Sequence, residues 1–592
     1  MSFHPNDIAR RTRVTSVGLA VGFALLLSAF FRAQVLQSES YQRQSEENRL
    51  RQIPLPAPRG IIYDRKGQII AENLPAYSVS ITAPNLDSLR HSLSQLQQTL
   101  QLSDYDINAA IRRYNRAPTR PTVVLADASI DVVSVLEEHR IDYPRLIIQS
   151  VPKRFYPEGP IVASFVGYTG EISEKELNLE EFAGYKPGQT IGKGGLEKQY
   201  ESVLRGQEGQ RFDEVDARGR PVSGAGPRPD RDPIGAPSMK TNIDLSLQKY
   251  AAAIFTDSLQ FSGGLIAIDP KTGGVLTLYS HPSFDSNRFT GGIPAAYWKE
   301  LQEDPRRPLF NKVIQGTYPP ASTWKLATAA MGLELGLVQM NGRMPASCGG
   351  GYQYGRRYFR CWKTTGHGAL TLAGAVTHSC NVYFYQLGLK VGLSKLVGGG
   401  IDMGFDTRSG IDLPNEYRPR FPTRDVREYF NRRFGANWSN AETLSMAIGQ
   451  GPNSQTLANL TKFYTALANE GVASTPEVVS KKPEQKKIMN LTKEQYAGLR
   501  LALAGVTTAG GTAASANIRG LVIAGKTGTA QNPPNKDHAW FIGFAPAEDP
   551  KIVVGVFLEY GEHGYFAARV ASKIIGRYLG FTGEATVNIE GQ

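Results

Sequence analysis

Hydrophobic positions change their rhythm along the chain. From Val14 to Phe31 they run almost unbroken and carry no charge. These eighteen residues sit at the lower edge of what a membrane-spanning helix needs. Arg10, Arg11 and Arg13 precede the run, the arrangement expected of a cytoplasmic flank. Arg32 follows and can snorkel, so that Ala33 to Leu36 extend the span. The expectation is a cytoplasmic tail over 1–13, an uncleaved anchor over 14–36, and everything beyond residue 40 outside the cytoplasm. The alternative is a cleaved signal peptide with Leu27-Ser28-Ala29 at its processing site. The length of the run and the bulky Phe30 and Phe31 behind that site argue against it.

After a polar stretch, Pro54, Pro56 and Pro58 break the pattern. Mixed strand and helix signals then continue to about residue 222. A Gly/Pro-rich crossing follows, from Gly224 through Pro227, Pro229, Pro233 and Pro237. The expected division is a non-catalytic pedestal over 37–236, one large domain over 237–582, and a tail over 583–592. In the large domain a helical pattern follows Thr241. Leu265–Ile268 and Val275–Leu278 flank a Lys-Thr-Gly-Gly turn and read as a hairpin. Ala539–Phe544 and Ile552–Leu558 are two further strands. Ala567, Val570, Ala571, Ile574, Ile575 and Tyr578 fall on one helical face. Strands at both ends of a helix-rich middle predict an α+β fold, an antiparallel sheet with helices packed on it.

Composition narrows the class. At 592 residues, 41% hydrophobic and 20% charged, the chain is a folded protein of two or three domains. The net charge of +12 arises from 66 basic against 54 acidic side chains. The basic residues are scattered, with no zinc-finger spacing, RNP-type strand or basic arm, so no nucleic-acid partner is expected. A membrane surface or cell-wall polymer suits such a diffuse excess better.

Three short motifs carry candidate chemistry. Ser322-Thr323-Trp324-Lys325 enters a predicted helix after Pro319 and Pro320, which puts hydroxyl and amine on one face. A lysine in a dry pocket can be neutral and take the serine proton. Ser379-Cys380-Asn381 follows, offering a proton relay and an amide to hold a substrate backbone. Lys526-Thr527-Gly528-Thr529 suits an edge strand whose Lys and Thr reach a substrate carboxylate, with Gly528 leaving room for the substrate. Roughly two Ser-x-x-Lys pairs are expected by chance in a chain this long, and a chance Lys-Thr-Gly well under once. Lys363-Thr364-Thr365-Gly366 resembles the third motif but has an extra residue and the wrong order, and it reads as a loop.

The ordered set matches the S-x-x-K, S-x-N, K-T-G signature and resembles penicillin-binding proteins and active-site-serine β-lactamases. Arg59-Gly60-Ile61-Ile62-Tyr63-Asp64-Arg65-Lys66-Gly67 is similar to the opening motif of class B penicillin-binding proteins. Gly192–Glu197, with Tyr200, Leu204-Arg205-Gly206 and Asp216–Arg220, is similar to their later non-catalytic motifs, with glycines for tight turns and Arg/Asp/Glu for interdomain pairs. Tyr318-Pro319-Pro320 and the 57-position interval from Ser322 to Ser379 resemble the elongation branch, the penicillin-binding protein 2 type, rather than the division branch. That branch usually has glycine before the serine, where Ala321 stands here; the departure matters only if the position needs positive φ.

What the resemblance implies is a D,D-transpeptidase. Ser322 would attack between the two terminal D-alanines of a stem peptide with Lys325 as base and Ser379 protonating the leaving D-Ala. An amine from a neighbouring stem would then close the cross-link. Backbone N–H groups of Ser322 and Thr529 would form the oxyanion hole. Lys526, Thr527 and Thr529 would bind the terminal carboxylate, and Asn381 the acyl-side amide. β-Lactams would acylate Ser322. A RodA-type glycosyltransferase and the elongation complex are the implied partners. The closest rivals are a D,D-carboxypeptidase, differing only in the acyl acceptor, and a β-lactamase, for which no deacylating-water motif stands out.

One cluster falls outside that signature. Cys348, Cys361 and Cys380, with His367 among them, are all the cysteines of the chain. Three cysteines leave one unpaired if a disulfide forms, and a closed Cys3His set fits structural zinc. Zinc clamping this segment is the expectation, with no catalytic role. The alternative is one disulfide, such as Cys348–Cys361, with Cys380 a buried thiol. No organic cofactor is expected.

Overall fold

The computed structural model describes residues 5–38, 50–118, 120–143, 145–214, 229–257, 261–435 and 439–581. The Asp216–Arg220 motif, the start of the Gly/Pro crossing and the 583–592 tail lie outside the described residues.

Helix α1 spans Pro5–Phe31 and passes into a π-helical turn over Arg32–Leu36. Across the two, Thr12–Leu36, 25 residues, is long and apolar enough to cross a membrane. At 1.5 Å per residue that stretch measures about 37 Å, more than the roughly 30 Å hydrocarbon core. The helix begins well ahead of Val14, because helical geometry does not stop where apolarity does.

The chain folds into two compact units. The first gathers Met1–Pro58, Pro75–Pro152 and Gly206–Gly235. Leu50–Leu55 pairs antiparallel with Gly209–Glu214, and helices Leu86–Leu96, Asp104–Arg116 and Ile130–Glu138 pack around Val79, Leu89, Leu93 and Leu136. Asn85, Ser103 and Ser129 cap these helices through side-chain oxygens.

The second unit gathers Arg59–Leu74, Lys153–Arg205 and Ala236–Gln592. The expected boundary at residue 237 follows the chain, and the compact units cross it. Two features tie these early segments to the large domain. Ile62 pairs in parallel with Met239, and the Asp64 carboxylate accepts the Leu245 N–H at 3.2 Å. The Arg and Glu of the non-catalytic motifs, expected to pair between domains, pair inside this unit. Glu197, fully buried, accepts from Arg59 at 2.8 Å and from Arg154 at 2.6 Å.

Within the second unit, α2 (Leu245–Asp257) leads to β1 (Gly263–Ile268) and β2 (Val275–His281). Further on come α3 (Lys325–Glu334), a hairpin of β3 (Gly351–Tyr354) and β4 (Arg357–Arg360), α4 (Leu372–Thr377), α5 (Asn381–Val391), α6 (Leu457–Ala468) and α7 (Lys493–Thr507). The unit closes with β5 (Ala524–Ala530), β6 (His538–Ala545), β7 (Ile552–Leu558) and α8 (Gly564–Leu579). The main sheet is antiparallel in the order β2-β1-β7-β6-β5.

Both sheet faces are covered, which is why these strands read as unbroken apolar runs rather than alternating ones. Leu265, Phe541, Val554 and Val556 join one core with Ala567, Ala571 and Ile574 of α8. Ile266, Trp540, Ile542 and Val553 belong to the opposite core with α3 and α6. The period of two assigns alternate residues of each strand to different cores. β5 lies at one edge of this sheet, and among the described residues no strand pairs with its outer side.

Candidate active site

The residues Ala321–Trp324 wind as a tight 3-10 turn into α3. This places Ser322 and Lys325 one turn apart on a common face. Ala321 has φ of +50°, a left-handed backbone that costs a residue with a β-carbon about 1 kcal/mol or more. Several bonds hold it there. Ala321 N–H donates to the Gly449 carbonyl at 2.9 Å. A Cβ on Gly449 would lie 2.2 Å from the Ala321 carbonyl oxygen, so only glycine permits that approach. Tyr464 Oη donates to the Thr323 carbonyl at 3.0 Å and Trp540 Nε1 to that of Pro319 at 3.1 Å. The Trp324 ring is buried against Phe405 and Phe421.

Lys325 is fully buried. Its Nζ donates to Asn381 Oδ1 at 2.7 Å, to the Ser379 carbonyl at 2.8 Å and to Ser379 Oγ at 3.2 Å. Burial pushes its ammonium down to about 8, against the nearby Cys361 and Cys380 sulfurs, which favour the charged form. The first and second motifs therefore meet at this amine. Among the described residues no hydrogen bond joins Lys325 to Ser322 Oγ, which stays half-buried at the head of the turn.

Ser379 stands between α4 and α5 with φ of +53°. That kink turns Ser379 and Asn381 toward Lys325 while Cys380 between them is fully buried among the other cysteines, the opposed orientation expected from the sequence. On β5, Lys526 is fully buried, and burial together with the Lys325 charge pushes its amine well down. Thr529 is exposed. The Thr527 hydroxyl is bonded to that of Thr512 at 2.7 Å. Gly528 has a role the sequence did not reveal. A Cβ there would come 3.2 Å from the Pro320 carbonyl oxygen and 3.2 Å from Thr323 Cγ2, so the glycine lets the edge strand close onto the Ser322 turn. Lys363–Gly366 forms a loop turn closed by Gly366 N–H to the Lys363 carbonyl at 3.0 Å, in line with its reading as a loop.

Sequence motifs missed the segment that holds the second motif in place. Trp362 Nε1 lies 3.1 Å from both the His378 and the Ser379 carbonyl oxygens. Asn381 Nδ2 donates to the Arg360 carbonyl at 3.3 Å. The strand end 360–362 thus splints residues 378–381. Nothing in the local sequence of Trp362 signals this, because its partners lie 16 and 17 positions away.

The cysteine cluster assembles beneath the splint. Donor atoms of Cys348, Cys361, His367 and Cys380 lie within 4.8 Å of one another. All three thiols are free and buried, so the Cys348–Cys361 disulfide is not formed. His367 Nδ1 stands 3.6 Å from both Cys348 Sγ and Cys361 Sγ. Zinc at about 2.3 Å from sulfur and 2.0–2.1 Å from nitrogen implies similar separations in a tetrahedral shell, so the four donors fit that ion. A hydrogen bond from Cys380 holds the Cys361 thiol low and Cys380 correspondingly high.

Known proteins share this architecture. The penicillin binding protein transpeptidase domain matches residues 263–579 and the penicillin-binding protein dimerisation domain residues 54–231. The peptidoglycan D,D-transpeptidase MrdA of Haemophilus influenzae is 32% identical over 97% of this chain and 92% of its own length. The Escherichia coli K12 protein of that name is 30% identical over 96% and 94%. Among solved structures, a complex of penicillin-binding protein PBP2 with MreC from Helicobacter pylori aligns with a TM-score of 0.79 at 27% identity, covering 90% of this chain and 99% of that one. A peptidoglycan synthase complex that coordinates polymerization and crosslinking aligns with a TM-score of 0.69 at 28% identity, over 97% of this chain and 99% of its own.

Proposed function

The chain belongs to the penicillin-binding protein transpeptidases, and from that premise we propose that it cross-links peptidoglycan stem peptides during sidewall elongation through an acyl-enzyme on Ser322. The observation that carries this reading is the buried Lys325 amine, bonded to both Ser379 and Asn381 one turn from the serine.

Neutral Lys325 takes the Ser322 proton as Oγ attacks the carbonyl between the two terminal D-alanines. The peptide C–N bond breaks, and D-alanine leaves with a proton passed through Ser379. Backbone N–H groups of Ser322 and Thr529 receive the developing oxyanion, where fixed dipoles act in a dry site. Lys526 and Thr529 bind the terminal carboxylate, with Thr527 acting in its hydroxyl pair with Thr512. Asn381 orients the acyl-side amide. An amine of a second stem then attacks the ester, forming the cross-link and returning a proton to Ser322. β-Lactams acylate the same oxygen.

Cys348, Cys361, His367 and Cys380 would hold a structural zinc, which would tie the 348–380 segment to the second motif without entering the reaction. The helix through Thr12–Leu36 would anchor the enzyme in the cytoplasmic membrane with the catalytic unit outside. A RodA-type glycosyltransferase and other elongation proteins would be its partners, in keeping with the complexes its structural neighbours form.

The test is labelled penicillin followed by mass spectrometry over several hours. A persistent adduct on the Ser322 peptide, absent in Ser322→Ala, is expected. Rapid loss with hydrolysed drug in solution would point to a β-lactamase, and absence of any adduct would overturn the mechanism.

A further inference from the structure

Charge is distributed unevenly around the site. From Leu335 to Ile401 the chain contains no Asp or Glu, while Arg343, Arg356, Arg357, Arg360, Lys363, Lys390 and Lys395 all fall there. Four of these cations, Arg356, Arg357, Arg360 and Lys363, sit on or just after the β3–β4 hairpin, and all four are exposed. Among the described residues none of the four is paired with a carboxylate. Two large rings lie between them in sequence, Tyr358 at 53% and Trp362 at 58% exposed.

The hairpin is fixed rather than loose. Phe359 is buried with Tyr385 and Leu444. The Arg360 carbonyl accepts from Tyr385 Oη at 3.1 Å and from Asn381 Nδ2 at 3.3 Å. A cationic, aromatic surface is therefore mounted directly on the second catalytic motif. Neighbouring cations left without a carboxylate repel one another, and the forks of the three arginines match carboxylate and phosphate oxygens, although Arg357 also lies over the Phe359 ring at 4.8 Å.

We propose that this hairpin docks the second substrate, an acidic acceptor peptide carrying free carboxylates and the attacking amine. The inference rests on the transpeptidase reading above. It assigns the acceptor here because the donor's terminal carboxylate is already provided for at Lys526 and Thr529 on β5. The hairpin is tied instead to Asn381, through the Arg360 carbonyl. Arginine forks would hold the acceptor carboxylates, and Tyr358 and Trp362 would give its backbone an apolar floor. In that pose the amine is steered toward the ester on Ser322 by charges that never touch the reacting atoms.

The test uses the full chain in detergent, with Arg356→Glu/Arg357→Glu at the hairpin tip. A thioester donor supplies the acyl group. The acceptors are a synthetic peptide with one side-chain amine and two free carboxylates, and the same peptide as its bis-carboxamide. The wild type is expected to prefer the acidic acceptor. In the variant, aminolysis kcat/KM for it should fall about 10-fold or more, as expected for losing charge-assisted hydrogen bonds, while penicillin labelling of Ser322 stays within about 2-fold. The amidated acceptor should be nearly indifferent to the change. An unaltered preference, or an equal fall for both acceptors, would overturn the inference. So would unchanged acceptor kinetics accompanied by loss of binding to vesicles of anionic phospholipid, which would assign the surface to the membrane. Wild-type protein that takes up no penicillin would overturn the transpeptidase reading and this inference together. Labelled protein with a flat acceptor preference overturns the inference alone.

Discussion

Lys325 Nζ and Asn381 Oδ1 lie 2.7 Å apart although 56 positions separate them in the chain. The bond joins the helix that follows Ser322 to the second motif and fixes where the Lys325 amine stands. Burial makes the same amine sensitive to pH. The Lys325 ammonium is lowered by burial to about 8, so the neutral base is scarce well below that pH and dominant above it. Penicillin acylation of Ser322 should rise as pH increases from 6 to 9 and bend near 8. A pH-independent rate over that window would exclude Lys325 as the base.

Replacing Asn381 with Asp puts a carboxylate beside the same amine. An opposite charge favours the protonated lysine, so the bend should move to higher pH and the rate at neutral pH should drop. Stopped-flow acylation profiles of the two proteins, measured in parallel, decide this.

Trp362 acts on the second motif from outside. Losing its N–H removes the donor shared by the His378 and Ser379 carbonyls, a contribution of about 1 kcal/mol, or roughly 5-fold to 10-fold. Trp362→Phe should slow acylation by that factor while penicillin's initial non-covalent affinity holds. A fall in affinity with an unchanged acylation step would instead place Trp362 in ligand binding.

Ala321 carries a backbone strain that the sequence only raised as a condition. Its φ of +50° means that Ala321→Gly should raise stability by about 0.5–1 kcal/mol. Ala321→Val should lower it, since β-branching makes left-handed backbone worse. Thermal unfolding of the three proteins would show whether the strain is real.

Glu197 supports the early segments of the second unit. Glu197→Gln takes the carboxylate from Arg154, while Arg59 keeps Glu201 at 2.8 Å, and breaking a buried pair in this way costs roughly 3–5 kcal/mol. Because Arg154 and Arg59 hold the Glu197 carboxyl below its ordinary range against burial, its stabilisation is present above the unfolded carboxyl pKa. It is lost as pH falls through the lower folded value. The gap between wild type and variant in denaturant melts should therefore close in acid.

Zinc can be read without activity. Protein purified without a histidine tag should hold about one zinc per chain, and His367→Ala should hold less, as expected for losing one of four ligands. Chelation should lower the melting temperature. A metal-free protein that melts unchanged would end the zinc reading.

The sequence by itself determined the features that depend on spacing along the chain. An uncharged apolar run gave the membrane-length helix, because helix length and transfer free energy are local properties. Ser322 and Lys325 share a face because three residues make nearly one helical turn. The apolar strands Leu265–Ile268 and Ile552–Leu558 could be recognised, since a sheet buried on both faces leaves no polar alternation. Tertiary structure alone decided the rest. Residues 59–74 and 153–205 joined the catalytic unit against chain order: Ile62 pairs with Met239, Asp64 takes the Leu245 N–H and Gln248 donates to the Ile161 carbonyl, while the buried Arg59, Arg154 and Glu197 hold the two early segments together. Ser379 holds a left-handed backbone where Lys325 and Trp362 both bind its carbonyl. Gly528 answered the approach of Pro320 and Thr323. Each of these is set by groups distant in sequence whose desolvation and packing balance only once the chain has closed on itself, and no local pattern records that balance.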